Sequence, residues 1–486
     1  MGSDIAFKPA ADLIGMMRRG RVSSLELVDH FIDRIEEYDD ALNAVVVRDF
    51  ERARKKARKS DRDRAAGKDL GPLAGLPMTV KESLQVAGLP TTWGSAQFHD
   101  NISKESAIAV QRLEAAGAIV MGKTNVALFL GDYQSYNPEY GTAHNPYDLA
   151  RTPGGSSGGA AAAVAAGLTG AELGSDLAGS VRVPASFCGV YAHKPSYGTT
   201  PTIGHSIFPS PMMPDLSVLG PIARSARDLE LLFSVVQGPD PLAARGWALR
   251  LPKRSVQSLE GLRVGLLIDV EGAPVAESVR KGVQALARWM RREGAKVGTV
   301  KPPMSVADHD VLFHGILKAV LAGRMDEPTY RARMAQADLL AEDDTSPTAV
   351  AIRDFTQTHW QWAQRNAART ALRLAWETVF EKFDIVLLPG TPLPGFPIDE
   401  SEPASARLLD MDGRKEPYDV QWFWQGIASL SYLPSTVAPV GMSPEGMPVS
   451  VQILGPYLDD NMTIGVAKLI EKYFHAYEPP EGYETE

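Results

Sequence analysis

The sequence predicts an α/β fold: one large domain with a central mixed, largely parallel β-sheet covered by helices on both faces. Three observations carry this. From Pro77 onward short apolar runs alternate with helical patterns, as chains built of βαβ units do. The 486 residues, 44% apolar and 22% charged, suffice to bury a sizeable core. No repeat of fixed period divides the chain into an array.

Taken in order, Ser23 and Glu26 form a capping-box pattern, and Val28, Phe31, Ile32 and Ile35 follow at helical spacing, predicting a helix to about Asp39. A short strand, Ala44 to Val47, comes next. Residues 48–68 carry Arg52, Arg54, Lys55, Lys56, Arg58, Lys59, Arg62 and Arg64 among acids and alanines. With few aromatics between them, a solvated helix face is a better reading than a nucleic-acid-binding helix. Residues 1–70 therefore read as an N-terminal helical segment packed on a main domain of 71–486.

Within that domain PMTVK is extended, Ser103 to Ala116 is helical, AIVMGK is a strand, and Ala226 to Val236 is a helix. Arg263 to Ile268 and Lys296 to Val300 read as strands on either side of a helix, Val275 to Arg292, which places Val279, Val283, Leu286 and Met290 on one side. A helical insertion occupies about 305–383. Asp384 to Leu388 and Val449 to Leu454 have the look of buried strands, and proline and acid density from Pro389 to Pro417 predicts a long loop.

Composition excludes several function classes. A formal charge of -9 and a pI near 5.6 argue against a nucleic-acid partner. No run approaches about eighteen apolar residues, so no membrane span is expected. The N-terminus lacks the pattern of a secretory signal, and Cys188, the single cysteine, permits neither an intrachain disulfide nor a cysteine cage for metal, which fits a cytoplasmic home. The nine histidines are scattered without H-E-x-x-H spacing, so neither a metal nor another cofactor is expected.

The chemistry is concentrated between Pro153 and Arg182, PGGSSGGAAAAVAAGLTGAELGSDLAGSVR. Glycines beside serine allow tight turns and expose backbone N–H groups, which a nucleophile and its oxyanion site both need. GGSSGG lacks the lysine end of a phosphate loop and the GxGxxG spacing of a dinucleotide site. No G-x-S-x-G elbow surrounds Ser180. His193 reads as a satisfied structural group and Cys188 as core. A serine nucleophile would then need a lysine base of lowered pKa, and Lys81, ending the apolar run Leu76 to Val80, is the one to suspect. On spacing alone, a surface lysine capping a strand is the better explanation.

These segments resemble the amidase signature family of serine hydrolases, which use a Ser-cisSer-Lys triad. The likeness runs through GLPMTVKES, GKTN at 122–125, GTAHNPYDLARTPGGSSGG, GSDLAGSVRVPASFCGVYAHKPSYG at 174–198 and TVAPVGMSPEGMPVSVQILGP near the end. It spans most of the chain. The resemblance implies the amidase signature fold, with Ser180 as nucleophile, Ser156 as a bridging serine on a cis peptide bond, and Lys81 as general base. It also implies an oxyanion site made by the backbone N–H groups of Leu177, Ala178, Gly179 and Ser180, with Asp176 and Arg182 holding the turn. Two positions depart from the family pattern: Ala178 stands where glycine is common, and Glu82 where aspartate is common.

The activity implied is hydrolysis of the C–N bond of a small-molecule amide through an acyl-enzyme. Tyr133, Tyr136 and Tyr140, Phe208, Met212 and Met213, and Trp422, Phe423 and Trp424 are candidates to line the substrate cleft. If several do, apolar or aryl acyl amides would fit, with esters and carbamates within the same chemistry. The expected assembly is a monomer or homo-oligomer. An alternative is the glutamine-hydrolysing subunit of a tRNA-dependent amidotransferase, which works with a partner protein. A third reading is a scaffold that kept the fold and lost activity.

Overall fold

The computed structural model describes residues 5–208, 213–254 and 256–484. Thirteen strands are formed among them: β1 (Val45–Arg48), β2 (Pro77–Lys81), β3 (Ile119–Thr124), β4 (Glu172–Asp176), β5 (Tyr191–Lys194), β6 (Val218–Ala223), β7 (Arg263–Leu266), β8 (Lys296–Thr299), β9 (Ile385–Pro389), β10 (Leu408–Met411), β11 (Arg414–Pro417), β12 (Ser435–Met442) and β13 (Pro448–Leu454). Eleven make one sheet in the order β1-β3-β2-β4-β6-β5-β12-β13-β9-β7-β8, with helices on both faces.

The sheet is mixed, and the connections explain how. β3-β2-β4 and β9-β7-β8 pair in parallel, and helical crossovers such as Ile108–Ala115 and Gly158–Ala165 return the chain to the same end. From β4 through β6, β5, β12 and β13 to β9 the neighbours are antiparallel. The β12–β13 pair is the closing strand pair expected of the C-terminal segment.

The Gly/Ala stretch becomes the helix Gly158–Ala165, every residue of which is buried. Its composition follows from close approach: a Cβ on Gly159 would lie 2.4 Å from Asn125 N and 2.7 Å from Ala44 O. On the next layer the helix Glu277–Arg292 buries Val279, Val283, Leu286 and Met290 as the spacing predicts, adding Ala287 and Trp289. Between 305 and 383 the chain forms four helices, Val306–Ala322, Glu327–Asp338, Pro347–Phe355 and His359–Phe380. The basic helix Phe50–Ala65 commits Arg54 to Asp29, Lys56 to Glu114 and Arg64 to Asp61.

One element corrects the sequence expectation. The segment 389–417 is more than a loop: β10 and β11 form a separate antiparallel hairpin turning at Asp412 and Gly413, both at positive φ. Asp-Gly is a two-residue hairpin signal, and the surrounding proline and acid density masks it. Among the described residues, no helix is long and apolar enough to cross a membrane.

Candidate active site

Lys81 ends β2 with no solvent exposure, and its Nζ donates to Ser156 Oγ at 2.7 Å and to Ser175 Oγ at 3.0 Å. Burial pulls this amine down to about 7, opposed by Asp176 and assisted by the positive charge of Arg324. Glu172, beside it on β4, is pushed up to about 8 by burial and bonds to Thr79 Oγ1. Asp176, Glu172 and Glu82 all favour the ammonium form of Lys81, and burial outweighs them.

Ser156 follows a cis Gly155–Ser156 peptide and enters the buried helix, while Ser157 N donates to Ser180 O at 3.1 Å, tying the two serine segments together. Ser180 sits on the turn after β4. The Asp176 carboxylate builds that turn, accepting from Gly179 N at 2.8 Å and Val181 N at 3.1 Å, and from the Arg182 guanidinium at 3.0 Å on each oxygen. Burial alone would raise Asp176; Arg182 and the amide donors outweigh it and hold the carboxyl down to about 2. The other side of Arg182 donates to Gln425 O, Gln452 Oε1 and Ser429 Oγ, each at 2.9 Å.

This geometry removes Gly179 from the expected oxyanion donors, because its N–H already serves Asp176. Gly179 is needed for another reason: φ is +111° and a Cβ would lie 2.8 Å from Gln425 Cγ. The N–H groups of Leu177, Ala178 and Ser180 find no acceptor among the described residues. The Ala178 φ is not among the positive values, so its methyl group is accommodated.

A cavity of about 560 Å³ opens over the serines, lined by Ser156, Ser175, Leu177, Ala178 and Ser180 on one side and by residues of 314–354 and 404–422 on the other. Of the residues expected to line the cleft, Tyr133 does so, its hydroxyl donating to Ala178 O at 2.7 Å, and Trp422 packs edge-on against it. Tyr136 does not. Its hydroxyl is taken up by Glu402 and Arg407, which draws the ring away from the cavity. Met213 is exposed and borders a different depression with Tyr330 and Trp362, and Met212 lies outside the described residues. Phe423 and Trp424 are core, and Phe208 packs on Phe98 at the surface.

The remaining candidates have structural occupations. His193 has Nδ1 2.9 Å from Thr436 Oγ1 and Nε2 3.1 Å from Asp460 Oδ1, and Cys188 is buried with its thiol pushed up by burial. Glu82 accepts from Thr92 N and Trp93 N, fixing the turn that carries Trp93. Among the described residues no cluster of His, Cys, Asp and Glu could hold a metal. Sequence reasoning missed Ser175, His205, Ser217, His314, Lys318 and Arg324, all on the cavity wall. Only Ser175 left a signal, next to Asp176 in the serine-rich stretch.

A buried amine near neutrality, bonded to a serine that shares a cavity with a second serine, can move a proton between hydroxyl and amide nitrogen. The comparisons agree with that chemistry. The chain is 34% identical to one subunit of the glutamyl-tRNA(Gln) amidotransferase of Synechococcus sp. (strain CC9902), covering 94% of each. Among solved structures, a bacterial aryl acylamidase of the amidase signature family is 25% identical, with a TM-score of 0.82 over 98% of each chain. An inhibitor-bound complex, described as vestigial and bearing on the origins of an s-triazine catabolic enzyme, is 28% identical with a TM-score of 0.80, over 97% of this chain and 100% of that one. With the amidase family profile matching residues 26–464, the chain belongs to the amidase family and is an enzyme acting on amide C–N bonds.

Proposed function

We propose that the protein hydrolyses a carboxylic amide through an acyl-enzyme on Ser180, with Ser156 and Lys81 relaying the proton. Neutral Lys81 takes a proton from Ser156, Ser156 takes one from Ser180, and the Ser180 oxygen bonds to the amide carbon. The relay then returns the proton to the leaving nitrogen as the C–N bond breaks, and water attacks the ester in a second cycle. The backbone N–H groups of Leu177, Ala178 and Ser180 hold the oxyanion, each donor worth on the order of 3 kcal/mol in related hydrolases.

The observation that carries this reading is the 2.7 Å bond from buried Lys81 to Ser156, in the cavity that also takes in Ser180. A serine-directed fluorophosphonate attaches at Ser180 and not to the Ser180→Ala variant. Labelling at another residue, or undiminished labelling of Ser180→Ala, would overturn the assignment.

The substrate divides two readings. Two curated relatives, 34% and 33% identical and both subunits of glutamyl-tRNA(Gln) amidotransferases, favour the glutamine-hydrolysing reading over the stand-alone amidase first expected. On that reading a partner protein receives the ammonia. Glutamine hydrolysis by the chain, stimulated by a synthetase-like partner, supports it; fast turnover of anilides by the isolated chain, with glutamine untouched, restores the stand-alone reading.

A further inference from the structure

One face of the helix Val306–Ala322 and the turn beyond it supplies His314, Leu317, Lys318, Leu321 and Arg324 to the cavity wall. Arg324 differs from the other charged groups there. Asp132 is matched by Arg407 at 2.7 Å, and Asp354 by Arg365 at 2.5 Å. Lys318 holds its amine 4.9 Å from the Phe355 ring centre. Arg324 makes no hydrogen bond or ion pair among the described residues, and its Nε and Nη2 are buried without a partner. A basic residue just past a helix end usually turns back to the last carbonyls. Here the guanidinium lies over the Trp93 ring, 5.3 Å from its centre.

A buried guanidinium with idle donors is costly unless something completes it. Of the three carboxylates on that wall, Asp132 and Asp354 are engaged elsewhere, and Asp419 is exposed and too remote to act on Arg324, whose guanidinium is perturbed by burial alone. The Trp93 ring backs one side of the guanidinium, and the turn that carries Trp93 is itself held by Glu82. A planar, oriented fork of N–H groups is the partner of a carboxylate, which accepts two parallel bonds from it.

Resting on the serine-amidase reading above, we infer that Arg324 is a substrate-binding residue that receives a carboxylate, so that the preferred substrate is an amide that also carries a carboxylate group. This narrows both substrate readings: glutamine has such a group, whereas simple anilides and aliphatic amides lack it. The apolar wall of Leu317, Leu321 and Trp422 then covers the chain between the carboxylate and the scissile amide.

The test uses monoamides of linear dicarboxylic acids from malonamate to adipamate, with L-glutamine, each linear one paired with its neutral methyl-ketone isostere. Removing Arg324 also removes a positive charge that depresses Lys81, so kcat/KM is compared on the high-pH plateau of each variant's own pH profile. The wild type prefers the best carboxylate over its isostere by about 100-fold in kcat/KM. Arg324→Gln loses that preference and Arg324→Lys restores part of it. Equal use of carboxylate and isostere by the wild type, or an equal fall for both in Arg324→Gln, overturns the inference.

Direct binding separates this from the mechanism. Succinate and glutarate titrated calorimetrically into the wild-type protein bind saturably, and Arg324→Gln abolishes the heat. That result upholds the carboxylate site even if Ser180 fails to label, and absence of binding by any dicarboxylate in the series sinks it even if Ser180 labels.

Discussion

Lys81 shows what burial does to a single side chain. An amine of ordinary pKa would be an ammonium at neutral pH and could take no proton; removal from water, assisted by the charge of Arg324, brings it to about 7. On the proposed mechanism kcat/KM therefore rises with pH with a midpoint near 7 and levels above about 8. A profile flat from pH 5.5 to 9 would remove Lys81 as base, and near-normal rates in Lys81→Ala would do the same. Because its folded pKa lies below the unfolded value, the native state binds fewer protons between about 7 and 10.5, and stability rises with pH across that window. Lys81→Met thus raises Tm more at pH 6 than at pH 10.5 while abolishing turnover. Ser156 and Ser180 stood out because their segment has a distinctive composition, whereas Lys81 was singled out by the family resemblance, since spacing alone favoured a surface lysine. Arg324 was not, because nothing in LAGRMDE distinguishes an arginine that faces a cavity from one that faces solvent.

At the level of elements, the β4 turn depends on one buried ion pair. Asp176 and Arg182 have no solvent exposure and between them satisfy three backbone N–H groups, a carbonyl, a glutamine and a serine. Removing one partner leaves the other charge buried and unmatched, a loss of about 3 to 5 kcal/mol. Asp176→Asn should lower the stability at pH 7 by that amount and slow Ser180 labelling by more than tenfold, since Arg182 loses its counter-charge and one of Gly179 N and Val181 N must face the new NH2 group. A variant of wild-type stability would show that the turn holds itself. The wild-type contribution is complete above about pH 4 and is lost as pH falls through 2, the sign expected of a carboxyl held below its unfolded value. Elements with strong periodicity, such as the helix Glu277–Arg292, were readable from the sequence. The helices Ala10–Arg18, Trp422–Leu430 and Asp460–Tyr473 were not singled out. Trp422–Leu430 is buried almost throughout and so has no polar face to mark its period.

Across the whole molecule the sheet divides at a single seam. The strands β1 to β6 lie on one side and β7, β8, β9, β12 and β13 on the other, joined where β5 pairs with β12 through Ala192, His193 and Lys194. No sequence pattern announces such a long-range pairing, which is why the order of strands could not be read in advance. Polar groups stitch the seam: His193 meets Thr436 and Asp460, Lys194 Nζ donates to Leu433 O, and Ser196 donates to Asp460. Lys81, Ser156 and Ser180 all belong to the first half, whereas Arg324, Tyr418 and Trp422 on the cavity wall belong to the second. The proposed chemistry and the proposed recognition are thus carried by different halves of one sheet. Expressed separately, residues 1–250 keep Asp176 but lack Gln425, Ser429 and Gln452, the other partners of Arg182, and expose the β5 edge with its buried lysine and histidine, so they should neither show a folded near-ultraviolet spectrum nor label at Ser180. Co-expressed with 251–486, they should recover both, because the seam is contiguous in space without being covalent. Labelling of the first fragment alone at the wild-type rate would mean that its site forms without the second half, and that the seam serves only to build the cavity.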